Sequence, residues 1–274
     1  MVRSMRISLN INERPCRIDL SRPIDISIPV VFEGQQFRAF GASPAHSQPY
    51  RSGDVVLSTD KGAGCNCPVF HFSAHLHGTH TECVGHISQQ NYIVQDLCEP
   101  PCFISAVLVS LTPVAGSECR ESYQPSIAAS DSVLTRQDLV ESLEPFQRPF
   151  DALVVRTLPN PPNKRYRNYD SFPSSYFSNE AMVYIRDLGV KFLLVDTVSV
   201  DRSEDEGRLS NHHIFWEVEQ GSHDVQKPSQ RTITEFIYVP AEIQDGEYVL
   251  TMNIANIRSD AAPSRPVLYE VNRP

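Results

Sequence analysis

The chain has 274 residues, enough to bury a substantial core, and its 41% hydrophobic and 21% charged content is ordinary for a soluble globular protein. A formal net charge of -9 argues against nucleic acid or an anionic membrane surface as a partner. No run approaches ~20 consecutive apolar residues, so no membrane-spanning segment is expected. The opening MVRSMRISLNINERP lacks the apolar segment and cleavage site of a secretory signal. Seven cysteines without regular spacing do not make a disulfide framework and point to a reducing cytoplasm.

Residues 4–32 read as short alternating runs, Cys16-Arg17-Ile18-Asp19-Leu20 among them, interrupted by Pro23. A loop rich in Gly, Ser, Pro and Gln follows over about 33–65. Its Phe37, Phe40 and Tyr50 can cover a pocket or pack beneath the loop, and His46 reads as a solvated loop residue. Cys65 and Cys67 lack a second cysteine pair and read as thiols rather than a metal site.

The stretch 69–86, VFHFSAHLHGTHTECVGH, holds five of the nine histidines. A period of two predicts a strand with Phe70, Phe72, Ala74 and Leu76 toward the core and His71, Ser73, His75 and His77 on the other face. Gly78 and Thr79 break the alternation, and His80, Glu82 and His86 follow in a short turn or loop. Imidazoles and a carboxylate gathered over so few residues suit a divalent cation such as zinc or manganese. The competing reading is a histidine-rich strand edge whose rings hydrogen-bond to neighbours.

Further along, Phe103–Leu111 reads as a buried strand, and Thr135 with Asp138 offers a capping-box-like start to a helix through Leu143. Phe150–Val155 is another apolar run. The irregular segment at about 158–177 carries Arg165, Tyr166, Arg167, Tyr169 and Phe172, which suit an aromatic or carboxylated substrate or equally a subunit contact. Ser178 or Asn179 caps a helix with Ala181, Ile185 and Leu188 on one face, and Gly189 ends it. Val190–Val195 then reads as a strand covered on both sides and parallel to 151–156. Asp196 and Asp201 fall at or beyond its carboxyl end, where ligands bind in open α/β sheets, although turn formation is the commoner job of such aspartates. Strands are expected at Thr232–Val239, Tyr248–Ala255 and Pro266–Val271. In the first, Ile233, Glu235, Ile237 and Val239 share a face, so Glu235 needs a cation or an arginine partner. Of His212 and His213, at most one points at the site if the backbone there is extended. Without a repeat or clean linker, residues 1–274 read as a single domain.

The segment HLHGTHTECVGH, with FLLVDTVSVD and the distant NHHIFW and RTITEF, resembles the cyclase family of metal-dependent hydrolases, which includes bacterial kynurenine formamidase and isatin hydrolase. The family hallmark is H-x-G-T-H-x-D-x-P-x-H; Gly78, Thr79, His80 and His86 fall in register with it. Asp19-Leu20-Ser21 with Pro23 resembles the family's opening strand, and DAAPSRPVL resembles its closing segment in one subgroup. Leu76 stands where the first histidine belongs. The first-ligand role goes to His75, because the subgroup with T-H-T-E-C-V-G-H usually reads H-x-x-G-T-H, and His77 is the alternative. Glu82 replaces the family's aspartate and Val84 its proline.

The resemblance implies an α/β fold: a mixed, β-barrel-like sheet of the swivelling β/β/α type, flanked by helices and assembled as a homodimer or higher homo-oligomer. It implies one metal held by His75, His80 and Glu82, with His212 (or His213) and Glu235 completing a second site, and His86 as general base and acid. Each residue also has a plainer role: His212 as a cap or surface residue, Glu235 as an ion-pair member, His86 as a structural hydrogen-bonder. The expected activity is hydrolysis of an amide C–N bond in a small aromatic substrate, of the arylformamidase type, with zinc or alternatively manganese. A bound divalent cation lowers the pKa of water from 15.7 toward ~7, which suits that reaction. A cyclic amide or lactone hydrolase stays within the same chemistry. A metal-dependent dehydratase or cyclase, or a non-catalytic metal-binding protein, would be of another class.

Overall fold

Three short, mainly apolar runs rich in Val, Leu and Ala, covered on both faces, form the parallel centre of the fold together with the buried but more polar run Thr232–Glu235. The computed structural model describes residues 4–98, 100–146 and 149–272. The main-sheet strands in chain order are β1 (Ile24–Asp25), β2 (His80–Glu82), β3 (Ile104–Leu111), β4 (Ala152–Thr157) and β5 (Phe192–Val195), then β6 (Thr232–Glu235), β7 (Gly246–Thr251), β8 (Ala261–Pro263) and β9 (Val267–Glu270). They lie in the order β8-β2-β6-β5-β4-β3-β7-β9-β1. The block β6-β5-β4-β3 is parallel, and the strands added at either side pair antiparallel. The result is an α/β fold with a curled, mixed nine-stranded sheet, as the resemblance implies.

Alternation inside the apolar strands feeds two separate cores. Leu153, Val155, Leu193, Val195 and Ile233 face one layer, and Ala152, Val154, Phe192 and Leu194 face the other. After the single turns α1 (Ala74–His77) and α2 (Val94–Leu97), the helices α3 (Arg136–Leu143), α4 (Asn179–Asp187) and α5 (Ser210–Trp216) close the first layer, contributing Leu139, Met182, Ile185, Phe215 and Trp216. Both predicted caps are present. Thr135 Oγ1 accepts from the Asp138 amide at 3.2 Å, and Ser178 Oγ accepts from the Ala181 amide at 3.0 Å. Gly189, at φ 77°, supplies the left-handed stop after α4.

The segment at 158–177 is tied down rather than loose. Its 3-10 turn Pro162–Tyr166 buries Lys164, whose Nζ donates to Thr157 O, to Thr157 Oγ1 and to Asp196 Oδ2 (2.6, 2.6 and 2.9 Å). Asp196 is therefore half of a buried ion pair. Arg165 and Arg167 stack over Tyr238 and Tyr169, and the Arg38 and Tyr169 backbones join this segment to the earlier loop.

Two predicted strands end early. The stretch after Val69 is extended only through His71, paired with His46–Pro49, and then turns into α1 (Ala74–His77). The expected apolar face is absent: Phe70 is 50% and Phe72 38% exposed, because no second layer lies behind this two-stranded ribbon. Likewise the strand from Thr232 stops at Glu235. Phe236 sits at φ 57°, a rare conformation for a bulky residue, and resets the facing of the chain. Ile233 stays with the helix-side core while Ile237 and Val239 enter the opposite one, so the four-residue face expected from the sequence does not exist.

Candidate metal centre

The register of β2 against β6 builds the centre. His80 and Glu82, two apart, share one face of β2. Glu235 is the direct partner of His80, and Ile233 of Glu82. The antiparallel pairing thus sets an imidazole opposite a carboxylate at the helix-side face, where α5 brings His212 down onto them. His212 Nε2 lies 2.9 Å from Glu82 Oε1 and 3.9 Å from Glu235 Oε1, and His80 Nε2 lies 3.6 Å from Glu235 Oε2. The chain around 212 is helical rather than extended, so neighbouring residues point about 100° apart. His213 accordingly turns toward His223, with ring centroids 6.3 Å apart, and plays no part here.

The helical turn Ala74–His77 parts His75 from His77 in the same way, since two residues are about 200° apart about a helix axis. His75 faces inward, with Nδ1 3.0 Å from Glu82 Oε2 and Nε2 2.9 Å from Asp260 Oδ2. His77 faces away, its Nδ1 accepting from the Ser73 amide and its Nε2 2.8 Å from the Ser43 carbonyl. His86, on the 3-10 turn Val84–Ile87, completes the outer side with Nδ1 3.6 Å from Asp260 Oδ2 and 3.8 Å from Glu82 Oε2. The six residues singled out from the sequence (His75, His80, Glu82, His86, His212 and Glu235) converge on one spot. His46 and His71 stack on each other in the ribbon at 4.6 Å and stand apart from it.

Two further residues belong to this constellation. Asp260 bridges toward His75 and His86 from the loop before β8; the only hint of it was its place at the head of the DAAPSRPVL segment. Asp201 sits behind the centre. Its Oδ2 lies 2.5 Å from His212 Nδ1, and its carboxylate also accepts from the amides of Asn211 and His212 and from the Tyr123 hydroxyl at 2.7 Å. A carboxylate on Nδ1 fixes the ring so that Nε2 points inward. Glu235 Oε1 is held by the Val200 amide at 3.0 Å.

The electrostatics follow from crowding charge in a dry place. Burial alone would raise Glu82, yet the facing His86 and His212 imidazoles, with His75, hold its carboxyl well below the ordinary range. Burial and the adjacent Glu82 charge push Glu235 up to about 8. Burial opposes a charge on His75, but the Asp260 and Glu82 carboxylates prevail and hold it up at about 10. His212 is likewise raised against its burial by Glu82 and Asp201. His80, fully buried and beside the His75 cation, is pulled down to about 4. Hydrogen bonds with His75 and then His86 hold Asp260 far below the usual carboxylate range.

A divalent cation fits this set. Three triads (His75, His80 and Glu82; His75, His86 and Asp260; Glu82, His86 and His212) each bring ligand atoms within 4.8 Å of one another. Buried His80 Nε2 has no hydrogen-bond partner, and buried Glu82 Oε2 makes no well-aligned hydrogen bond although His75 Nδ1 lies 3.0 Å away; both atoms point into the cluster. Such atoms are costly unless something binds them. The donors are imidazole nitrogens and carboxylate oxygens without thiolate, a set suited to zinc or manganese.

A curled mixed sheet with helices on one face and an imidazole–carboxylate cluster at its edge defines an α/β protein of the metal-dependent hydrolase type of fold. The "Putative cyclase" family model matches residues 18–202, more than half of the chain, and the protein belongs to that cyclase family. Solved structures of the same fold include a predicted metal-dependent hydrolase from Bacillus stearothermophilus, 16% identical, with 90% of this chain and 98% of that chain covered at a TM-score of 0.56. Isatin hydrolase A from Labrenzia aggregata is 13% identical over 90% of this chain and 93% of its own, at a TM-score of 0.59. Isatin hydrolase A from Ralstonia solanacearum is 14% identical over 90% and 91%, at a TM-score of 0.57. No curated protein sequence matches the chain significantly. Among the described residues, no helix is long and apolar enough to cross a membrane.

Proposed function

We propose that this protein is a metal-dependent hydrolase that cleaves the C–N bond of a small aromatic amide, of the arylformamidase type. The observation that carries the reading is buried His80 Nε2, which has no hydrogen-bond partner, aimed into a cluster of four histidines and three carboxylates. His75, His80 and Glu82 would hold one divalent cation, zinc or alternatively manganese. His212 and Glu235 would complete a second site that shares Glu82. A cation held there supplies a Lewis acid that polarises a carbonyl and makes water acidic near neutral pH.

The remaining chemistry belongs to the chain. His86 is partly exposed at the outer side of the cluster, with Nδ1 toward Asp260 and Glu82, which leaves Nε2 free to exchange a proton with the substrate side. It takes a proton from the attacking water and returns it to the departing nitrogen. Asp201 keeps His212 aimed inward, and Asp260 holds the His75 ring. Phe236, buried with its ring centroid 5.6 Å from His80 and 4.3 Å from Phe37, packs the inner side of the His80 ring and holds it in place.

A cyclic aryl amide is the second reading, supported by the fold shared with two isatin hydrolases. The test is to measure metal content and then hydrolysis of N-formylkynurenine, isatin and simple lactones with zinc or manganese supplied. Turnover of the formamide ahead of the others is expected. Turnover of isatin alone would transfer the assignment to the cyclic amide, and turnover of none would remove the substrate claim.

A further inference from the structure

The two proposed cations leave one triad at the centre without a role: His75, His86 and Asp260. It is the outermost. These side chains are 23%, 29% and 31% exposed, whereas those of Glu82 and His80 are 1% and 0% exposed. The backbone brings Asp260 there, its carbonyl accepting from the Cys83 amide at 3.0 Å just beyond β2. Gly85 keeps the approach open, since a Cβ at that position would clash with the Tyr92 carbonyl oxygen and lie 3.0 Å from Asp260 Cβ. A glycine in the turn Val84–Ile87 thus lets Asp260 close on His86, which the same turn carries.

The spacing of the ligand atoms suits a cation better than a close hydrogen bond. His86 Nδ1 lies 3.6 Å from Asp260 Oδ2, longer than a well-formed hydrogen bond. Nitrogen and oxygen ligands on a tetrahedral zinc stand roughly 3.3–3.5 Å apart. An inner cation would take His75 through Nδ1, which faces Glu82, so His75 Nε2 keeps its proton and donates it to Asp260 Oδ2 at 2.9 Å. That bond steadies the carboxylate without filling it. The other oxygen accepts from the Ser259 hydroxyl at 2.8 Å, and among the described residues no lysine or arginine pairs with Asp260. One imidazole nitrogen and carboxylate lone pairs therefore remain for a further ion, with water completing its shell.

We propose that His86 Nδ1 and the Asp260 carboxylate form a further, weaker cation site on the outer side of the centre, and that a divalent cation bound there stops hydrolysis. The reason is a tautomer. To accept a proton from water through Nε2, the neutral His86 ring must carry its own proton on Nδ1. A cation on Nδ1 displaces that proton, and the ring then holds its single proton on Nε2, where no lone pair is left to act as base. The stop rests on His86 being the base of the proposed reaction; the binding rests on the geometry of the triad alone.

Zinc is the probe. Bound metal is counted by equilibrium dialysis and elemental analysis against rising free zinc, and hydrolysis of the substrate turned over fastest is followed in parallel. Tight equivalents are expected to fill first and one weaker equivalent afterwards, with hydrolysis rising in the first phase and falling in the second. In Asp260→Asn and in His86→Ala, each checked for folding by circular dichroism, the weak equivalent is expected to bind at least about ten-fold more loosely while the tight ones remain. Should either variant fail to fold, the other decides. Unchanged affinity of the weak equivalent in a folded variant, or no such equivalent in the parent up to about 1 mM free zinc, would overturn the site. Full hydrolysis with the weak equivalent bound would overturn the stop. A parent protein without tight equivalents would instead strike the metal-centre reading, which is a separate failure.

Discussion

Two groups of histidines come from one 18-residue stretch and meet opposite fates. His71 and His77 are satisfied locally, by Gln48 and His46 in one case and by the Ser43 and Ser73 backbones in the other. His75, His80 and His86 instead meet carboxylates supplied from β2, from β6 and from the loop holding Asp260. All five are imidazoles in the same neighbourhood of sequence, so residue type does not separate them. Backbone phase does: a helical turn sends His75 and His77 apart, and strand pairing sets His80 against Glu235. A histidine becomes a candidate ligand where the fold delivers an opposed carboxylate without another donor to quench it.

That contrast can be broken first at its centre. Glu82 touches more of the cluster than any other carboxylate, and Glu82→Gln is expected to weaken metal retention by about 100-fold or more, beyond the usual cost of losing an outer partner. Elemental analysis after dialysis against a chelator measures it; full occupancy would remove Glu82 from the ligand set. His86→Ala should leave metal stoichiometry intact and slow hydrolysis by roughly 10²–10⁴-fold. A variant that turns over at the parent rate would return His86 to a structural role. Asp201→Asn, which loosens the support behind the His212 ring, is expected to cost about 10–100-fold in metal affinity by competition titration. Tyr123→Phe, one hydrogen bond further out, should cost a few-fold at most.

Protons sharpen the same contrast. His75 is held up at about 10 in the ion-free chain, whereas a ligand imidazole must be neutral. Cation loading at neutral pH is therefore expected to release protons and to weaken as pH falls, which calorimetry in buffers of different ionisation enthalpy reads directly. The raised value also adds stability to the ion-free chain. That contribution is complete below the ordinary imidazole range and is lost as pH rises through about 10, so thermal midpoints should fall across that window. At the small end, His77→Ala and His71→Ala should leave metal content unchanged and shift stability by no more than about 1 kcal/mol. Loss of metal in either would mean that phase does not decide ligand identity.

The fold was legible where burial is two-sided and where caps are local. The runs at 104–111, 152–157 and 192–195 are apolar without alternation because helices and loops cover both faces, and Thr135 and Ser178 act through neighbours three residues away. The cluster was legible as imidazoles and a carboxylate gathered over few residues, although His80 and Glu82, expected in a turn or loop, lie on the strand β2. It was illegible where the deciding fact is distant or is a single dihedral angle. Asp260 is one aspartate among many until chain closure carries it to His75. The helical phase of residues 74–77 is set by the edge of a sheet, and the apolar period seen around Phe70 and Phe72 belongs to an arm with no layer behind it. Phe236 looks like any strand residue, yet its positive φ undoes the face on which Ile237 was expected.

The facing of β2 on β6 has one more consequence. Thr81 meets Thr234 on the reverse side, hydroxyl to hydroxyl at 2.8 Å. A slip of a single residue would swing the threonines into the acidic cluster and drive His80 and Glu82 into the apolar layer behind it. The alignment of β2 is thus proofread by the chemistry it creates: only the correctly zipped chain gathers imidazoles and carboxylates into one grip, and whatever ion that grip captures rewards the correct alignment over its neighbours.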